Sequence, residues 1–423
     1  QERVKFAITL ARMEKMLSLS LLPDPIMKTV SGAEDYRKMG NGLYCGPDMY
    51  NKLDKIIAYY TQSITLAPQK SEALALGYAN RSAVLFDARV YRDCLQDIAR
   101  ALELPYPDHL KTKIYIRQAR CLMVLRKSTD EYKDEIGDAL KAAYEYLSSV
   151  PLGSESRRKL EEIMELEDIT PTKREFNKWQ DTALMPSVAD ENPELKGVSS
   201  ALEIKYDQIN GRHTVAARDI DPGEVLAVLK PYAAVLTRGK KFTHCAYCME
   251  QTWSSLPCET CCEVVYCGES CKSRAYEEYH DIECQVMRYL SPSDITVHVL
   301  FGIRLLVKAF KEAGSIQALR NKIKEIESCT DPIKMGFTQG RLDGESYAGV
   351  YTLITNTEKR SFEKLFTVAV HASFAVLSLA TKTKLFGQNL EAEVDSFEGN
   401  DDVTFIGGLI MRHMLIVDHN AHC

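Results

Sequence analysis

Residues 245–284 read CAYCMEQTWSSLPCETCCEVVYCGESCKSRAYEEYHDIEC, and they hold eight of the thirteen cysteines in this 423-residue chain. The spacing is Cys245-x2-Cys248, then Cys258-x2-Cys261, then Cys267-x3-Cys271, then His280-x3-Cys284. A Cys-x2-Cys pair makes a tight turn that aims two thiolates at one point, and a tetrahedral zinc ion needs two such pairs. Seven cysteines and one histidine make four pairs, enough for two closed sites. A closed four-ligand site has no position for water, so these zincs are expected to hold structure and not to perform chemistry. The spacing does not say which pairs share an ion. Cys262 breaks the pattern and is read as a non-ligand. The competing reading is a disulfide framework, usual for dense cysteines in a secreted chain. Nothing else here looks secreted, and Cys45, Cys94, Cys121, Cys329 and Cys423 are scattered singly.

Working outward, the chain is long enough for two or three domains, and 45% hydrophobic residues is ordinary for globular protein. A net charge of −6 argues against nucleic-acid binding by the whole molecule. Locally, Lys240, Lys241, Lys272 and Arg274 are offset by Glu277, Glu278, Asp281 and Glu283. The longest apolar run, Leu365 to Ala380, is interrupted by polar residues and is shorter than a membrane span requires, so a buried helix is expected and no membrane. Free cysteines beside zinc fit a reducing interior, cytoplasmic and/or nuclear. The chain begins at Gln1, not Met, which is compatible with an upstream segment.

The first 180 residues are helical by pattern. Ile56, Tyr60 and Ser63 stand at helical spacing and Pro68 closes the segment; 38 residues on, Cys94, Ile98 and Ala101 recur in the same relation, closed by Pro105. Ser82, Leu85 and Tyr91 supply the small and aromatic positions where antiparallel helices pack. A third pair, His109 to Tyr146, is looser. The pattern resembles tetratricopeptide repeats, whose usual period is about 34 residues; a generic helical bundle is the alternative. Solenoids of this kind bind protein partners on a concave face. Residues 181–200, punctuated by Pro186, Pro193 and Gly197, read as a linker. Strands are expected at Ala201 to Tyr206, Thr214 to Ala217 and Val225 to Leu229, with Asp221-Pro222-Gly223 as a turn. Helix is expected again from Asp294 to Ala380 and from Phe405 to Val417, where Gly407-Gly408 allows close packing. Glu391 to Asp402, six acidic residues in twelve, reads as a solvated loop.

The cysteine stretch, with Val265-Tyr266-Cys267 and Lys272 to Tyr276 before His280-Asp281-Ile282-Glu283-Cys284, resembles the MYND zinc finger. The resemblance implies interleaved pairing: Cys245, Cys248, Cys267 and Cys271 on one zinc, and Cys258, Cys261, His280 and Cys284 on the other. About forty residues bury little core, so metal would supply most of the module's folding free energy. The order of strand, glycine turn Asn210-Gly211-Arg212, strand, Pro231-Tyr232-Ala233 and then this finger is similar to the SET-and-MYND protein-lysine methyltransferases, in the branch with helical repeats ahead of the SET domain. The implied class is α+β and multidomain: tetratricopeptide-like helices over 1–180, the linker, SET strands over 201–243, the finger over 244–284, a helical insert over 285–402 and the start of the resumed SET domain over 403–423.

What the resemblance implies for function can be carried over only where residues match. Asn210, Gly211 and Arg212 would lie against S-adenosylmethionine, glycine allowing backbone approach and arginine meeting its carboxylate. Asn356, in Tyr351 to Asn356, and Asn420, in Asp418-His419-Asn420, would add amide contacts; for Asn356 a helix-capping role is the alternative. The family's Asn-His-Ser-Cys-type segment, channel tyrosine and C-terminal cysteine cluster, with its further zinc, have no match before Cys423. No residue is therefore assigned as catalytic, and the chain is expected to be a fragment or a variant without that half. The partners implied are a protein substrate with a target lysine, and proteins bound by the repeats and finger. A non-catalytic adaptor using only the repeats and finger is the rival function.

Overall fold

The computed structural model describes residues 2–13, 25–126, 131–155, 157, 158, 161, 186–289 and 297–421. The 181–185 part of the expected linker, the start of the helix expected from Asp294, and Cys423 lie outside them. The chain divides into two units: residues 26–180 with 236–274, and residues 1–25 with 181–235 and 275–423.

The first unit is built on helices α2 (Val30–Tyr44), α3 (Leu53–Leu66), α4 (Glu72–Asp87), α5 (Tyr91–Leu102), α6 (Asp108–Leu125) and α7 (Lys133–Leu147), each packed on the next. The Thr29 and Ser71 hydroxyls accept from Gly32 N and Leu74 N and so start α2 and α4, satisfying amides that the first helical turn leaves open. Ile56 and Tyr60 of α3, Leu85 of α4 and Cys94, Ile98 and Ala101 of α5 share one buried cluster. Small residues set the close approaches. A Cβ at Gly77 would stand 2.9 Å from Ile64, and one at Gly40 2.6 Å from the Tyr60 ring. Tyr91 opens α5 with its ring edge-on to Phe86, centroids 5.6 Å apart.

The second unit centres on the last helix. Helices α1 (Glu2–Met13), α10 (Val297–Ala313) and α13 (Phe362–Lys382) all pack on α14 (Asp401–Asn420), α11 (Ile316–Glu327) packs on α10, and the short helix α12 is Tyr347–Tyr351. Gly407 admits Val4 and Val376, which a Cβ would meet at 2.7 and 3.3 Å. Helix α13 extends past both ends of the apolar run. At 21 residues it is long and apolar enough to cross a membrane, and 67% of its most apolar window is buried within the protein.

Strands are few among the described residues. β1 (Leu202–Asp207) pairs antiparallel with β2 (Gly211–Ala216), and β3 (Leu256–Pro257) with β4 (Val265–Tyr266). The strand expected over Val225 to Leu229 makes a single bridge, Val198 to Ala227; with Ser199 N donating to Leu226 O and Val228 N to Gly197 O, its pairing ends after two bonds. The acidic run is also not a loop. Residues Glu391–Gly399 form a 3-10 helix with Phe397 buried, and α14 begins at Asp401. Asn400 caps that helix through its side-chain oxygen, and Asp401 and Asp402 sit in its first turn, where carboxylates meet the positive end of the helix dipole.

Candidate metal centre and cofactor site

The Cys245 and Cys248 thiols are aimed by a tight turn. Cys245 N donates to Glu250 O at 2.8 Å and Met249 N to Cys245 O at 3.0 Å. Met249 takes the left-handed conformation, φ 65°, that closes the loop. Ala246 N donates to Val265 O at 2.8 Å, tying this turn to β4. Cys267 follows β4, and Cys271 lies on the short helix α8 (Glu269–Ala275). Cys258 follows β3, while His280 and Cys284 stand four residues apart where a π turn, Tyr276–His280, runs into α9 (Asp281–Met287).

The ligand atoms of Cys245, Cys248, Cys267 and Cys271 lie within 4.8 Å of one another, as do those of Cys258, Cys261, His280 and Cys284. Thiolates about 2.3 Å from a tetrahedral zinc stand roughly 3.8 Å apart; the Sγ of Cys248 is 3.8 Å from that of Cys267, which is 3.4 Å from that of Cys271. Burial raises the Cys245 thiol, yet the backbone amides of Cys248, Cys267 and Tyr247 outweigh it and hold it below its usual range. Thr260 N likewise donates to Cys258 Sγ at 3.4 Å. Amides turned toward sulfur favour thiolate, the form that binds metal. Burial pushes the Cys248 and Cys267 thiols up to about 12, with neighbouring thiols adding to it; a bound dication inverts that logic. Both quartets therefore suit zinc. Cys262, buried, is in neither.

Residues beside the ligands carry structure that composition hid. Glu283, counted in the sequence as a surface charge offsetting the basic residues, is 4% exposed. It accepts both Arg304 Nε at 2.5 Å and Arg304 Nη2 at 2.8 Å, while that guanidinium also donates to Ala234 O and lies 3.5 Å from the Tyr279 ring centroid. Lys308 and Lys311 pair with Glu278 and Asp281. Three of the four acidic residues are thus committed to holding the His280–Cys284 turn against α10. The signal in the sequence was faint: an acidic residue adjacent to Cys284, where a solvated face gives no reason for one.

The cofactor candidates come from three separate stretches. Between β1 and β2, Asp207 accepts from Ile209 N and Asn210 N, and Asn210 Nδ2 donates to Asp207 Oδ2 at 2.9 Å. Gly211 follows with φ +66°, and a Cβ there would meet nothing within 4 Å. Arg212 reaches away from the hairpin, donating to Met335 O at 2.5 Å and to Thr352 Oγ1 at 2.9 Å. Both acceptors are neutral, and burial lowers its pKa. Just beyond Thr352, Ile354 O accepts from Asn420 Nδ2 at 2.9 Å, and the same amide donates to Ile416 O at 2.8 Å. Arg412 donates to Tyr351 O, and Arg360 pairs with Asp418 and donates to Thr355 O. Residues 351–356 are thus held to the hairpin through Arg212 and to the end of α14 through Asn420. Asn356 stands at the N-cap position of the 3-10 turn Thr357–Lys359, with φ 48° and no side-chain cap hydrogen bond; its carbonyl accepts from Lys359 N at 3.1 Å. The Asn420 amide spends its N–H groups on structure and leaves its carbonyl oxygen to accept.

Neither a protein-family model nor a solved structure matches the chain. It is 27% identical over 447 residues to a chicken (Gallus gallus) protein named protein-lysine N-methyltransferase SMYD4, covering 93% of this chain and 59% of that one. The human (Homo sapiens) protein of the same name is 27% identical over 444 residues, with 91% and 54% covered. A SET and MYND domain-containing protein of Dictyostelium discoideum is 35% identical over 108 residues, 25% of this chain and 28% of its own. The chain thus spans between half and three-fifths of the length of the long relatives it matches. The likeness to proteins named protein-lysine N-methyltransferase runs along nine-tenths of the chain, and the stretch shared with the SET and MYND domain-containing protein covers a quarter of it.

Proposed function

We propose that this chain is the N-terminal and central part of an S-adenosylmethionine-dependent protein-lysine methyltransferase of SET-and-MYND type. The observation that supports it most is the match to methyltransferases of that name along 91–93% of the chain. In this reading two zinc ions hold the finger and take no part in chemistry, because each quartet is complete with protein ligands. A further zinc would belong to the segment beyond Cys423. Helices α2–α7, within the 1–180 region read as tetratricopeptide-like repeats, engage protein partners together with the finger.

S-adenosylmethionine, when bound, supplies a methyl group on a positively charged sulfonium, which an uncharged lysine amine can accept. The residues on this chain would bind and orient. Gly211, with open space where a Cβ would point, leaves room for close backbone approach. Arg212, held only by neutral acceptors, is a cation placed to meet a carboxylate. The side-chain oxygen of Asn420 and the unbonded amide of Asn356 offer the remaining polar contacts. No catalytic residue is assigned. The reading is cytoplasmic and/or nuclear, with a protein substrate and without nucleic acid or membrane.

The test is calorimetry with S-adenosylmethionine and a radiolabelled methyl-transfer assay, on this chain and on a version extended through the catalytic core. The 423-residue chain should bind weakly or not at all and transfer nothing. The extended protein should bind and transfer, and Gly211→Val should abolish both. An extended protein that neither binds nor methylates would overturn the proposal and leave the adaptor function.

A further inference from the structure

The loop between the first two cysteine pairs does more than connect them. Residues Thr252, Ser254 and Ser255 are 6%, 2% and 0% exposed, and the Trp253 side chain packs against the helical core of α2–α6. Two arginines and two acidic residues of α4 and α5 account for the burial. Arg81, itself fully buried, donates Nε to Asp97 Oδ2 at 2.7 Å and Nη2 to Asp97 Oδ1 at 2.9 Å. Nη2 also donates to Ser255 O at 2.7 Å, while Nη1 donates to Ser255 Oγ at 3.1 Å and to Thr61 Oγ1 at 3.0 Å. A guanidinium carries five N–H groups, and here each has an acceptor, two of them on Ser255. Arg100 donates to Ser254 O at 2.5 Å and to Asp97 at 3.1 Å, and the Ser254 hydroxyl meets Asp93 and Gln96 at 2.9 and 2.7 Å.

A buried ion pair persists only where its remaining donors are satisfied. The Arg81–Asp97 pair reaches that condition with the help of backbone and hydroxyl oxygens that belong to the finger. In turn, the loop offers those oxygens in the right places because its start is fixed by the Cys245/Cys248 turn and its end by the β3–β4 pair. We infer that the segment Thr252–Ser255 is an intramolecular ligand of helices α4 and α5, held in its binding shape by zinc in the Cys245, Cys248, Cys267, Cys271 site, so that metal loading and the stability of those two helices are linked. The linkage rests on zinc occupying that quartet. Anything that binds one conformation in preference stabilises it and whatever depends on it.

The full chain, zinc-loaded or stripped with a chelator under reducing conditions, is compared by hydrogen exchange, with zinc counted by elemental analysis on the same preparations. Stripping should raise exchange in residues 72–102 together with 243–274, and much less in 108–147. In the other direction, Arg100→Ala and Ser254→Ala, both at the edge of the contact, should speed zinc release to a competing chelator by about tenfold, the worth of one charge-assisted hydrogen bond. Circular dichroism checks that each variant retains its helices. If stripped protein exchanges at 72–102 as loaded protein does, or both variants release zinc at the parental rate, the linkage is overturned alone. A chain that never holds zinc overturns it along with the metal assignment.

Discussion

The metal quartets and the cofactor candidates are both clusters of polar side chains, but they are assembled in opposite ways. All eight metal ligands come from 40 consecutive residues, and each pair is aimed by its own turn. The cofactor candidates come from a hairpin at 210–212, a loop at 351–356 and a helix end at 420, joined only after the second unit has folded. A local cluster writes its geometry into spacing; a cluster assembled at long range writes almost none.

The largest expected effect breaks the local cluster. Cys245→Ser should lower zinc from about two ions per chain to about one and unfold its surroundings, since structural zinc contributes on the order of 10 kcal/mol to folding. Elemental analysis with limited proteolysis of 243–284 checks it, and a variant that retains both ions would show that the quartet is wrongly drawn. The two sites should also part company under chelation. Cys248 and Cys267 are exposed, whereas all four ligands of the other quartet are buried, so the first ion should leave first in a competition assay.

Next in size is the buried pair between α4 and α5. Arg81→Met leaves Asp97, with no exposed side-chain surface, facing only Arg100, which should cost about 3–5 kcal/mol. Denaturation followed by helical signal should show most of that loss recovered in Arg81→Met with Asp97→Leu. If the single variant costs under about 1 kcal/mol, the pair is not the anchor its burial suggests.

A third prediction concerns acid. His413 is fully buried, its Nε2 3.0 Å from the Tyr347 hydroxyl and its Nδ1 3.4 Å from Gly302 O. Burial lowers its pKa to about 3, and the Arg412 charge acts the same way. The imidazole is therefore neutral in the fold and protonated in the unfolded chain once pH drops below about 6.5. Its contribution is whole above that value and shrinks as pH falls toward 3, by about 2 kcal/mol at pH 5. In His413→Gln the second unit should be less stable at neutral pH, with a shallower decline between pH 6.5 and 5. Equal slopes in both proteins would rule the histidine out as a source of acid sensitivity.

What the sequence disclosed follows the same division. Ligand spacing, the helical period of α3 and α5, the glycine at 407 and the turn at Asp221-Pro222-Gly223 are local patterns, and each has a physical counterpart in the structure. Local reading misjudged Glu391 to Asp402 because charge density outweighed a single capping asparagine, and Arg320, which meets Asp401 O and Asp402, lies 81 and 82 residues away from them. It misjudged Glu283 and passed over Arg81 for the same reason. A buried charge looks like a surface charge until its partner is known, and the partners are Arg304 and Asp97 on other helices. The hairpin's neighbours, Met335 and Thr352, were equally invisible from Arg212.

The smallest expected effect sharpens the long-range cluster by separating structure from binding. Asn420 spends its amide N–H groups on Ile354 O and Ile416 O, so Asn420→Ala should cost about 1 kcal/mol of stability even without ligand. Asn356 is different. Its backbone is left-handed and its side chain makes no cap, so Asn356→Gly removes the amide without imposing strain, and stability should stay within about 0.5 kcal/mol of the parent. In a protein extended through the catalytic core, the same substitution should weaken S-adenosylmethionine about fivefold if the amide contacts it, one hydrogen bond's worth. Calorimetry reads both quantities. Parental affinity in Asn356→Gly would take this residue out of the site, leaving the Asn210-Gly211-Arg212 turn and Asn420 to form it. A large loss of stability would show instead that the left-handed asparagine is there to shape the loop.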